Sequence, residues 1–306
     1  MVTGLPSEAR RALLAWYDST GRTIDFRESR DPYAILVSEV MAQQTQISRV
    51  VPAWHRFLGS FPTVGALAAA SPADVLRTWQ GMGYDRRALN LRNAARVIVV
   101  DHDGKVPADV TVLETLPGIG PYTARAVASI AFGQPVGAVD TNVRRVLGRA
   151  VLGAALVSGG RAADLQSVAD RSIDPVRPGD WTHAVMDLGA TVCKPRTPAC
   201  TACPIAEWCR YAISRGAAVP VGVNPRPRAA RTGANVRPAF TTTNRWLRGR
   251  ILDRLRAASG TAWTTVDDPI GEHDGVAVAR ALTALANDGL IDLDPADARR
   301  ARLALS

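Results

Sequence analysis

The sequence predicts a mainly α-helical protein that ends in a small module of helices and short strands. Three observations lead to this prediction. Helical periodicity dominates residues 1–215, where the alternation typical of strands is scarce. Two glycines, Gly118 and Gly120, separate helical stretches at 110–115 and 122–131, as in a helical hairpin. Beyond residue 216 the composition changes, and short apolar runs follow two further helical stretches.

Helices follow one another from the start of the chain. A helix over 7–18 begins with a serine cap signal and carries apolar residues on one side. Residues 32–58 form a long apolar stretch, and Pro52 either breaks it or opens a second helix at its first turn. Shorter helices are predicted at 64–69, 72–78 and 85–100. The first 215 residues are therefore expected to form one all-α body.

The carboxyl end is predicted to be a module joined by a basic linker. Residues 221–250 contain seven arginines, three prolines and no acidic residue. We interpret residues 216–240 as an exposed linker of this basic character. Helices at 244–258 and 276–287 precede apolar stretches at 290–293 and 303–305, an order that resembles a winged helix over 241–306. A small cap packed on the main body is the alternative.

The charge balance points to a polyanionic partner. The net charge is +9, from 37 basic and 28 acidic residues. Lys105 and Lys194 are the only lysines, so the other 35 basic residues are arginine, which suits bidentate contact with phosphate. No apolar run is long enough to span a bilayer. We therefore expect a soluble cytoplasmic protein without a signal peptide.

All four cysteines lie within 17 residues, at Cys193, Cys200, Cys203 and Cys209. The spacing C-x6-C-x2-C-x5-C indicates one metal or cluster site, because no cysteine is left over. A disulfide framework is typical of small secreted domains and fits this chain poorly. Structural zinc usually occupies two paired knuckles, and only Cys200 and Cys203 are paired in that way. The asymmetric spacing favours a cluster held by four thiolates, with zinc as the alternative.

Two further motifs precede the cysteines. The glycines of the LPGIG turn, Gly118 and Gly120, permit a tight turn whose free amides at the next helix start form a phosphate site. An ordinary turn between two helices is the alternative interpretation. Asp140 follows the small and apolar run GAV and precedes Thr141-Asn142. Taken alone, it is best explained as the cap of a helix over 142–150.

The hairpin, the aspartate and the cysteines together resemble the helix-hairpin-helix DNA glycosylases with an iron–sulfur cluster, the endonuclease III superfamily. The resemblance covers about residues 7–211. It implies a [4Fe–4S] cluster on the four cysteines and a two-lobed all-α fold with a DNA cleft between the lobes. It places an iron–sulfur domain at 1–30 and 140–215. It also places a six-helix barrel at 31–139, with the hairpin at 112–131.

The run ILVSEVMAQQTQ at 35–46 resembles the signature of the adenine glycosylases of the MutY family, which remove adenine mispaired with 8-oxoguanine. The resemblance implies that Glu39 protonates the flipped adenine, that Asp140 stabilises the cationic sugar, and that Asn142 positions Asp140. It also implies contacts with DNA. The residues expected to touch DNA are Gln43, Gln44, Tyr84 of the GMGY motif, Gly118, Gly120, and Lys194 and Arg196 of the basic loop after the first cysteine.

The chemistry of Glu39 and Tyr122 also follows from their residue types. Adenine leaves poorly until a ring nitrogen is protonated, and a carboxyl group supplies that proton at neutral pH only where burial raises its pKa. Glu39 lies in the apolar run 35–41, which provides such burial. In the lyase branch of the superfamily a lysine stands at the position of Tyr122 and forms a Schiff base. Tyrosine cannot do so, which predicts a monofunctional glycosylase.

Three departures from the family pattern concern the base pocket and the tail. Ile24-Asp25-Phe26-Arg27 stands where the family carries Leu-Pro-Trp-Arg, so Arg27 is kept. His183 stands where a glutamate or glutamine often faces the base, and a histidine satisfied in the core or at the surface is the alternative. No Phe-Ser-His motif follows residue 211, so the family's 8-oxoguanine-reading module is absent or replaced.

These observations favour a base-flipping glycosylase that removes mispaired adenine opposite 8-oxoguanine or guanine. One alternative is a glycosylase for another base, namely thymine or uracil opposite guanine, or hypoxanthine. A second alternative is a non-catalytic DNA-binding iron–sulfur protein. The expected partner is double-stranded DNA containing a mispaired or damaged base, bound by a monomer in the cytoplasm in association with the nucleoid.

Overall fold

The computed structural model describes residues 3–153, 162–214, 239–258 and 261–305. These residues contain fourteen α-helices and a three-stranded antiparallel sheet, which confirms an all-α fold with a small C-terminal α/β module. The elements are α1 (Ser7–Thr20), α2 (Pro32–Ala42), α3 (Ile47–Ser60), α4 (Val64–Ala69), α5 (Pro72–Thr78), α6 (Arg86–Asp101), α7 (Val110–Thr115), α8 (Pro121–Phe132), α9 (Thr141–Ala150), α10 (Ala162–Ser172), α11 (Pro178–Thr191), α12 (Arg210–Ile213), α13 (Asn244–Ala257), β1 (Thr264–Thr265), α14 (Gly275–Asn287), β2 (Ile291–Asp294) and β3 (Asp297–Leu303).

The first compact unit comprises Met1–Glu39, Ala108–Thr115 and Ile119–Arg231. Its central element is α11, which packs against α1, α8 and α9. Ten of the 14 residues of α11 are buried. Where α11 meets α8, the buried hydroxyls of Ser129 and Thr182 form a hydrogen bond of 3.0 Å. Because neighbours enclose α11 on several sides, the polar side chains it carries are held in fixed positions.

The second compact unit comprises Val40–Pro107, Leu116–Gly118 and Thr232–Ser306. Its helical part is α3 to α6, with a core that includes Phe57 and Trp79, whose rings meet edge to face at 5.8 Å. Thr63 and Ser71 cap α4 and α5 by accepting hydrogen bonds from backbone amides of the first turn. These caps explain why both short helices begin where the sequence predicts.

Two local predictions for the early helices are wrong. Pro52 neither breaks the 32–58 stretch nor opens a helix, because it lies inside α3. The break falls instead at the polar run between Ala42 and Ile47, where Gln44 has a left-handed backbone with φ of +54°. The other error concerns α1, whose cap position is Pro6 and which has no side-chain cap hydrogen bond. Ser7 is therefore the first residue of the helix and not its cap.

The C-terminal module contains the two predicted helices and three strands, with the short strand β1 between the helices where none was predicted. Two helices, α13 and α14, pack against each other and against a sheet with the strand order β1-β3-β2. Asp274 caps α14 by accepting a hydrogen bond of 2.8 Å from the amide of Ala277. The central strand β3 runs over Asp297–Leu303, and the sequence predicted only residues 303–305. Its alternation places Ala301 and Leu303 in the core and arginines on the other face, so it lacks a continuous apolar run.

The compact units group the chain differently from the predicted domain limits, which stay predictions. The two helices of the hairpin, α7 and α8, belong to the unit that contains α1 and α11, whereas Leu116–Gly118 of its turn and the C-terminal module belong to the unit that contains α3 to α6. The predicted basic linker, residues 216–240, lies outside the described residues except for its last two positions. Across the described ranges, none of the helices combines the length and apolarity needed to cross a bilayer.

Candidate active site and cysteine-lined centre

The helical hairpin is formed by α7, a turn at 116–120 and α8. Gly118 has a left-handed backbone with φ of +76°, and a Cβ atom there would lie 2.7 Å from Cβ of Asn90, so only glycine fits. Gly120 has φ of −95° and open space around it. Pro121 begins α8, as is common at the first position of a helix. The open surface at Gly120, next to the positive end of the α8 dipole, suits a phosphate group.

Glu39 is a buried carboxyl group, only 7% exposed, near the end of α2. The hydroxyl of Tyr122 donates a hydrogen bond of 3.0 Å to Oε2 of Glu39. Burial raises the pKa of Glu39 to about 7, although the Tyr122 hydrogen bond and the charge of Arg27 oppose this shift. The charge of Asp140 adds to the increase. Glu39 is therefore a carboxyl group that gains and loses a proton near neutral pH.

Asp140 occupies the cap position of α9. Its Oδ1 accepts a hydrogen bond of 2.6 Å from the amide of Val143, and its Oδ2 accepts one of 2.9 Å from Nδ2 of Asn142. The predicted capping role is thus confirmed, and the dipole of α9 favours a negative charge at this point. Both carboxylate oxygens are held by donors. The side chain therefore has a fixed direction and is half-buried.

Asp187 is a site residue that the sequence interpretation missed. It is buried in α11 and accepts two parallel hydrogen bonds of 2.9 Å from the guanidinium of Arg27. The amide and Nε of Arg22 each donate a further bond of 2.8 Å. Burial raises the pKa of Asp187, but the hydrogen bonds from Arg27 and Arg22 outweigh it and hold the pKa below its ordinary value. Asp187 thus fixes the arginine that acts electrostatically on Glu39.

His183 lies one helical turn before Asp187 on the same side of α11 and is buried. Burial lowers the pKa of His183 to about 3, and the positive charge of Arg27 adds to the decrease. The imidazole is therefore neutral at pH 7 and has one donor and one acceptor nitrogen. The structure thus brings together the two predicted base-pocket residues, Arg27 and His183.

A chain of hydrogen bonds links Asp140 to the cysteine loop. Asn142, which donates to Asp140, accepts a bond of 2.7 Å from Nη2 of Arg145. Nε of Arg145 donates to the carbonyl of Cys193 at 2.7 Å. Gly189 of α11 allows this arrangement, because a Cβ atom there would lie 2.6 Å from Cβ of Asn142. The predicted positioning role of Asn142 therefore has a geometric basis.

The four cysteines line one small cavity. Within the part of the chain that the structure describes, no three His, Cys, Asp or Glu side chains are grouped closely enough to ligate a single metal ion. The buried guanidinium of Arg149 donates from Nη1 to Sγ of Cys193 at 3.3 Å. Four thiols and a buried cation suit an iron–sulfur cluster, because a cluster held by thiolates is anionic and is tuned by hydrogen bonds to its sulfurs.

The buried side chain of Arg149 holds the backbone of the basic loop after Cys193. This side chain donates to the carbonyls of Lys194 and Pro195 at 2.8 Å and 2.7 Å. Lys194 and Arg196 are both exposed. The loop therefore presents two cations on a backbone that is fixed from its buried side, an arrangement that suits contact with phosphate.

Replacing both Lys194 and Arg196 with alanine should weaken binding to every duplex alike. The slope of log K against log salt should become shallower by about two units, because two phosphate contacts are lost. Fluorescence anisotropy over a salt series, with matched and mispaired duplexes, measures this slope. A control with Arg11→Ala and Lys105→Ala removes two exposed cations outside the loop and should leave the slope near that of the wild type. An unchanged slope in the loop variant would contradict phosphate contact.

Gln44 and Tyr84, both predicted to enter DNA, have unusual backbones in the second unit. They are two of the three non-glycine residues with positive φ in the described ranges, at +54° and +49°. Such conformations are strained and concentrate at functional sites. The half-buried Arg87 holds both segments. Its Nη1 donates to the carbonyl of Gln43 at 2.5 Å, and its Nη2 donates to the carbonyl of Gly83 at 3.0 Å.

Comparison with known families agrees with this geometry. Residues 37–155 match the family model described as HhH-GPD superfamily base excision DNA repair protein. Residues 193–209, from the first cysteine to the last, match the iron-sulfur binding domain of endonuclease III. A solved structure of a thermostable thymine-DNA glycosylase superposes with a TM-score of 0.62 at 27% identity, over 67% of this chain and 95% of that chain. Fold and site thus define a base-excision DNA glycosylase that carries a [4Fe–4S] cluster.

Relatives of known function narrow the class. The adenine DNA glycosylase of Mycobacterium tuberculosis is 43% identical over 296 residues, which cover 95% of this chain and 92% of that protein. The human adenine DNA glycosylase is 43% identical over 211 residues, which cover 66% of this chain and 39% of that protein. The chain belongs to the adenine DNA glycosylase family. The mycobacterial match is long enough to include most of the C-terminal module.

Proposed function

We propose that the chain is a monofunctional glycosylase that removes adenine paired with 8-oxoguanine or guanine in duplex DNA and acts as a monomer. The observation that carries the proposal is the buried Glu39, whose pKa of about 7 allows it to donate a proton near neutral pH. Membership of the adenine DNA glycosylase family supports adenine as the base. The cytoplasm, with association to the nucleoid, is the proposed location.

The first step breaks the bond between adenine and the deoxyribose. The neutral form of Glu39 gives its proton to a ring nitrogen of the flipped base, and the electron pair of the glycosidic bond leaves with the adenine. Tyr122, which donates to Oε2 of Glu39, stabilises the carboxylate that this transfer leaves behind. The same hydrogen bond fixes the direction of the carboxyl group while it is protonated.

The second step replaces the base with water. The sugar carries positive charge as the bond breaks, and the carboxylate of Asp140 stabilises that charge. The fixed direction of Asp140, with both oxygens bound by the Val143 amide and Asn142, reduces the reorganisation needed at this point. The oxygen of a water molecule bonds to C1′, and its proton passes to the carboxylate of Glu39. Glu39 is then ready for the next substrate.

Selection of the base is assigned to Arg27 and His183. The guanidinium of Arg27 is fixed by Asp187 and carries hydrogen-bond donors but no acceptor. The neutral His183 offers one donor and one acceptor. Adenine has acceptor nitrogens in its ring and one exocyclic amino group that donates. The donors of Arg27 and the donor and acceptor of His183 can therefore pair with these groups of the base. Thymine lacks an exocyclic amino group, which disfavours it in the same pocket.

The cluster has a structural part in this proposal. A [4Fe–4S] cluster bound by Cys193, Cys200, Cys203 and Cys209 would tie the segment from 193 to 209 into a rigid loop. Arg145 and Arg149 hold the same loop through its carbonyls. The loop and Asp140 are thereby connected through Asn142.

A single-turnover assay with a panel of duplexes tests the proposal. The panel contains every natural mismatch together with uracil, hypoxanthine and 8-oxoguanine, each in the same flanking sequence. We expect adenine release opposite 8-oxoguanine to be the fastest reaction, followed by adenine opposite guanine. Faster release of thymine or uracil opposite guanine would assign the chain to another base.

The same assay with borohydride tests monofunctional chemistry. Borohydride should fail to trap the wild-type chain on DNA, because Tyr122 cannot form a Schiff base. An endonuclease III-type lyase serves as the positive control for trapping. Strand cleavage by the wild type without added base or heat, together with a trapped complex, would contradict a monofunctional mechanism.

A further inference from the structure

Three consecutive residues after the GMG glycines each contact a different residue of the C-terminal module, within the second compact unit. Tyr84 contacts Arg245, Asp85 contacts Arg256, and Arg86 contacts Asp288. Three adjacent residues of one short segment thus each form a separate contact with the module. The module is therefore attached to the segment expected to enter DNA, and not only to the outer surface of the helices.

The contact between Asp85 and Arg256 is the buried anchor of this attachment. Arg256 is only 5% exposed at its side chain and forms an ion pair with Asp85. Its Nε also donates to the carbonyl of Leu76 in α5 at 3.0 Å. Breaking one side of such a buried pair leaves an uncompensated charge, so this contact is maintained in the folded chain.

Asp288 forms a second link at the end of α14. It accepts hydrogen bonds from Arg86 of α6 and from Arg248 of α13, so it joins the two helices through one carboxylate. Arg86 remains largely exposed. This link is weaker than the buried anchor because solvent screens exposed ion pairs. Together the two links hold α13 at Arg256 in its last turn and at Arg248 in its second turn, and Arg245 at its start lies beside Tyr84.

The side chain of Tyr84 is enclosed by two guanidinium groups. Arg245 lies over its ring at 4.4 Å from the centroid, and Nη1 of Arg245 donates a hydrogen bond of 3.1 Å to its hydroxyl. Arg87 lies 5.4 Å from the same centroid. Tyr84 is still 43% exposed, so one part of the ring remains open to a ligand.

We propose that the C-terminal module positions Tyr84 through Arg245, and thereby sets how well the chain engages a mispair. The inference rests on the proposed function, in which Tyr84 inserts at the lesion. A ring held in one orientation before binding loses less conformational entropy when it inserts. Arg245 is a positioning residue in this scheme, since it acts through Tyr84 and touches neither the base nor the sugar. The module serves the specific complex more than general affinity for DNA.

The test compares Arg245→Ala with the wild type in the full-length chain. The ligand is a duplex containing 2′-fluoro-2′-deoxyadenosine opposite 8-oxoguanine, in which the fluorine opposes positive charge on the sugar and prevents cleavage. A matched duplex of the same sequence measures general affinity. We expect Arg245→Ala to bind the mispair about 5-fold to 10-fold more weakly, the loss expected for one cation–π contact and one hydrogen bond. Affinity for the matched duplex should change by less than about 2-fold.

Two controls separate positioning from simple phosphate contact. Arg250→Ala removes the same charge from an exposed position on the same helix, where the partner is Asp253, and should leave mispair preference unchanged. In a Tyr84→Ala background, Arg245→Ala should have no further effect on mispair preference, because its action passes through the tyrosine. The rate of adenine release by saturating enzyme should stay near that of the wild type in Arg245→Ala.

Three outcomes would overturn the inference. Equal weakening for matched and mispaired duplexes would make Arg245 a phosphate contact only. Retention of the full preference by Arg245→Ala would remove any role, and an undiminished effect in the Tyr84→Ala background would show that the action bypasses the ring. If the wild-type chain itself neither prefers the mispair nor releases adenine, the proposed function fails first, and that result is distinct from the other three.

Discussion

Asp140→Asn should lower the single-turnover rate of adenine release by about a thousandfold or more, because it removes the charge that stabilises the cationic sugar. Asparagine caps helices as well as aspartate does, so the hydrogen bond from the Val143 amide and the start of α9 should be retained. The variant should therefore keep its melting temperature and its affinity for mispaired duplex. Single-turnover cleavage with alkali work-up, thermal unfolding and anisotropy measure the three quantities.

Asp274→Asn is the matched control for this change. Asp274 caps α14 through the amide of Ala277, in the same way as Asp140 caps α9. Replacing it makes the same chemical change at a helix start outside the site, and the rate should remain within about twofold of the wild type, as is usual for sites that do not couple. A rate for Asp140→Asn within tenfold of the wild type would show that the charge is not needed for the reaction.

Glu39→Gln should reduce the rate by about a hundredfold to ten-thousandfold, the usual contribution of a positioned proton donor. In the wild type the donor is the protonated carboxyl, so the rate should decline as pH rises through about 7. The glutamine variant has no proton to lose there, and its residual rate should be flat over the same range. Single-turnover rates across a pH series measure both effects. Two results would contradict the role of Glu39 as proton donor. One is a Glu39→Gln variant whose rate no longer declines with pH but is otherwise near that of the wild type, and the other is a variant with a reduced rate that still declines through pH 7.

The raised pKa of Glu39 also makes the free energy of unfolding depend on pH. Between its ordinary value of 4.5 and about 7, the folded chain binds more protons at this group than the unfolded chain does. The free energy of unfolding therefore falls as pH rises through this interval, by about 3 kcal/mol at most. Glu39→Gln removes this dependence and should be more stable than the wild type at pH 8, with a smaller difference at pH 5. Denaturant unfolding at the two pH values measures it.

Sequence patterns predicted the helices and the hairpin well where local signals decide the structure. The stretches 64–69 and 72–78 match α4 and α5, because Thr63 and Ser71 supply capping hydroxyls that can be recognised without tertiary information. Pro52 misled the prediction, since a proline inside a helix is disfavoured locally yet tolerated in α3. Strand β3 was predicted only at its last residue, Leu303, because the rest of the strand is mostly polar. Its pairing with β1 on one side and β2 on the other is tertiary information that the local sequence does not contain.

Some residues of the candidate site were predicted from local sequence, and others depend on tertiary contacts that the local sequence does not show. Glu39, Asp140 and the cysteines have distinctive sequence surroundings and were predicted. Asp187 was missed, because its importance depends on Arg27, which is 160 residues away in sequence. A buried acidic residue in an otherwise apolar helix was the available signal. The contact between Tyr84 and Arg245 could not be predicted at all, since it depends on how the C-terminal module packs.

Helix α11 imposes a constraint on the length of one interval of the chain. In α11, His183 lies at the proposed base pocket, Asp187 contacts Arg27 and Gly189 lies beside Asn142, and Cys193 comes two residues after the helix ends. Each inserted residue would turn the later part of the helix by about 100° and advance it by about 1.5 Å. An insertion here would thus move the cysteine loop out of register with the pocket, even if every side chain were kept. A single substitution in α11 changes one contact at a time, whereas a change in the ten-residue separation of His183 from Cys193 would displace all of these contacts together.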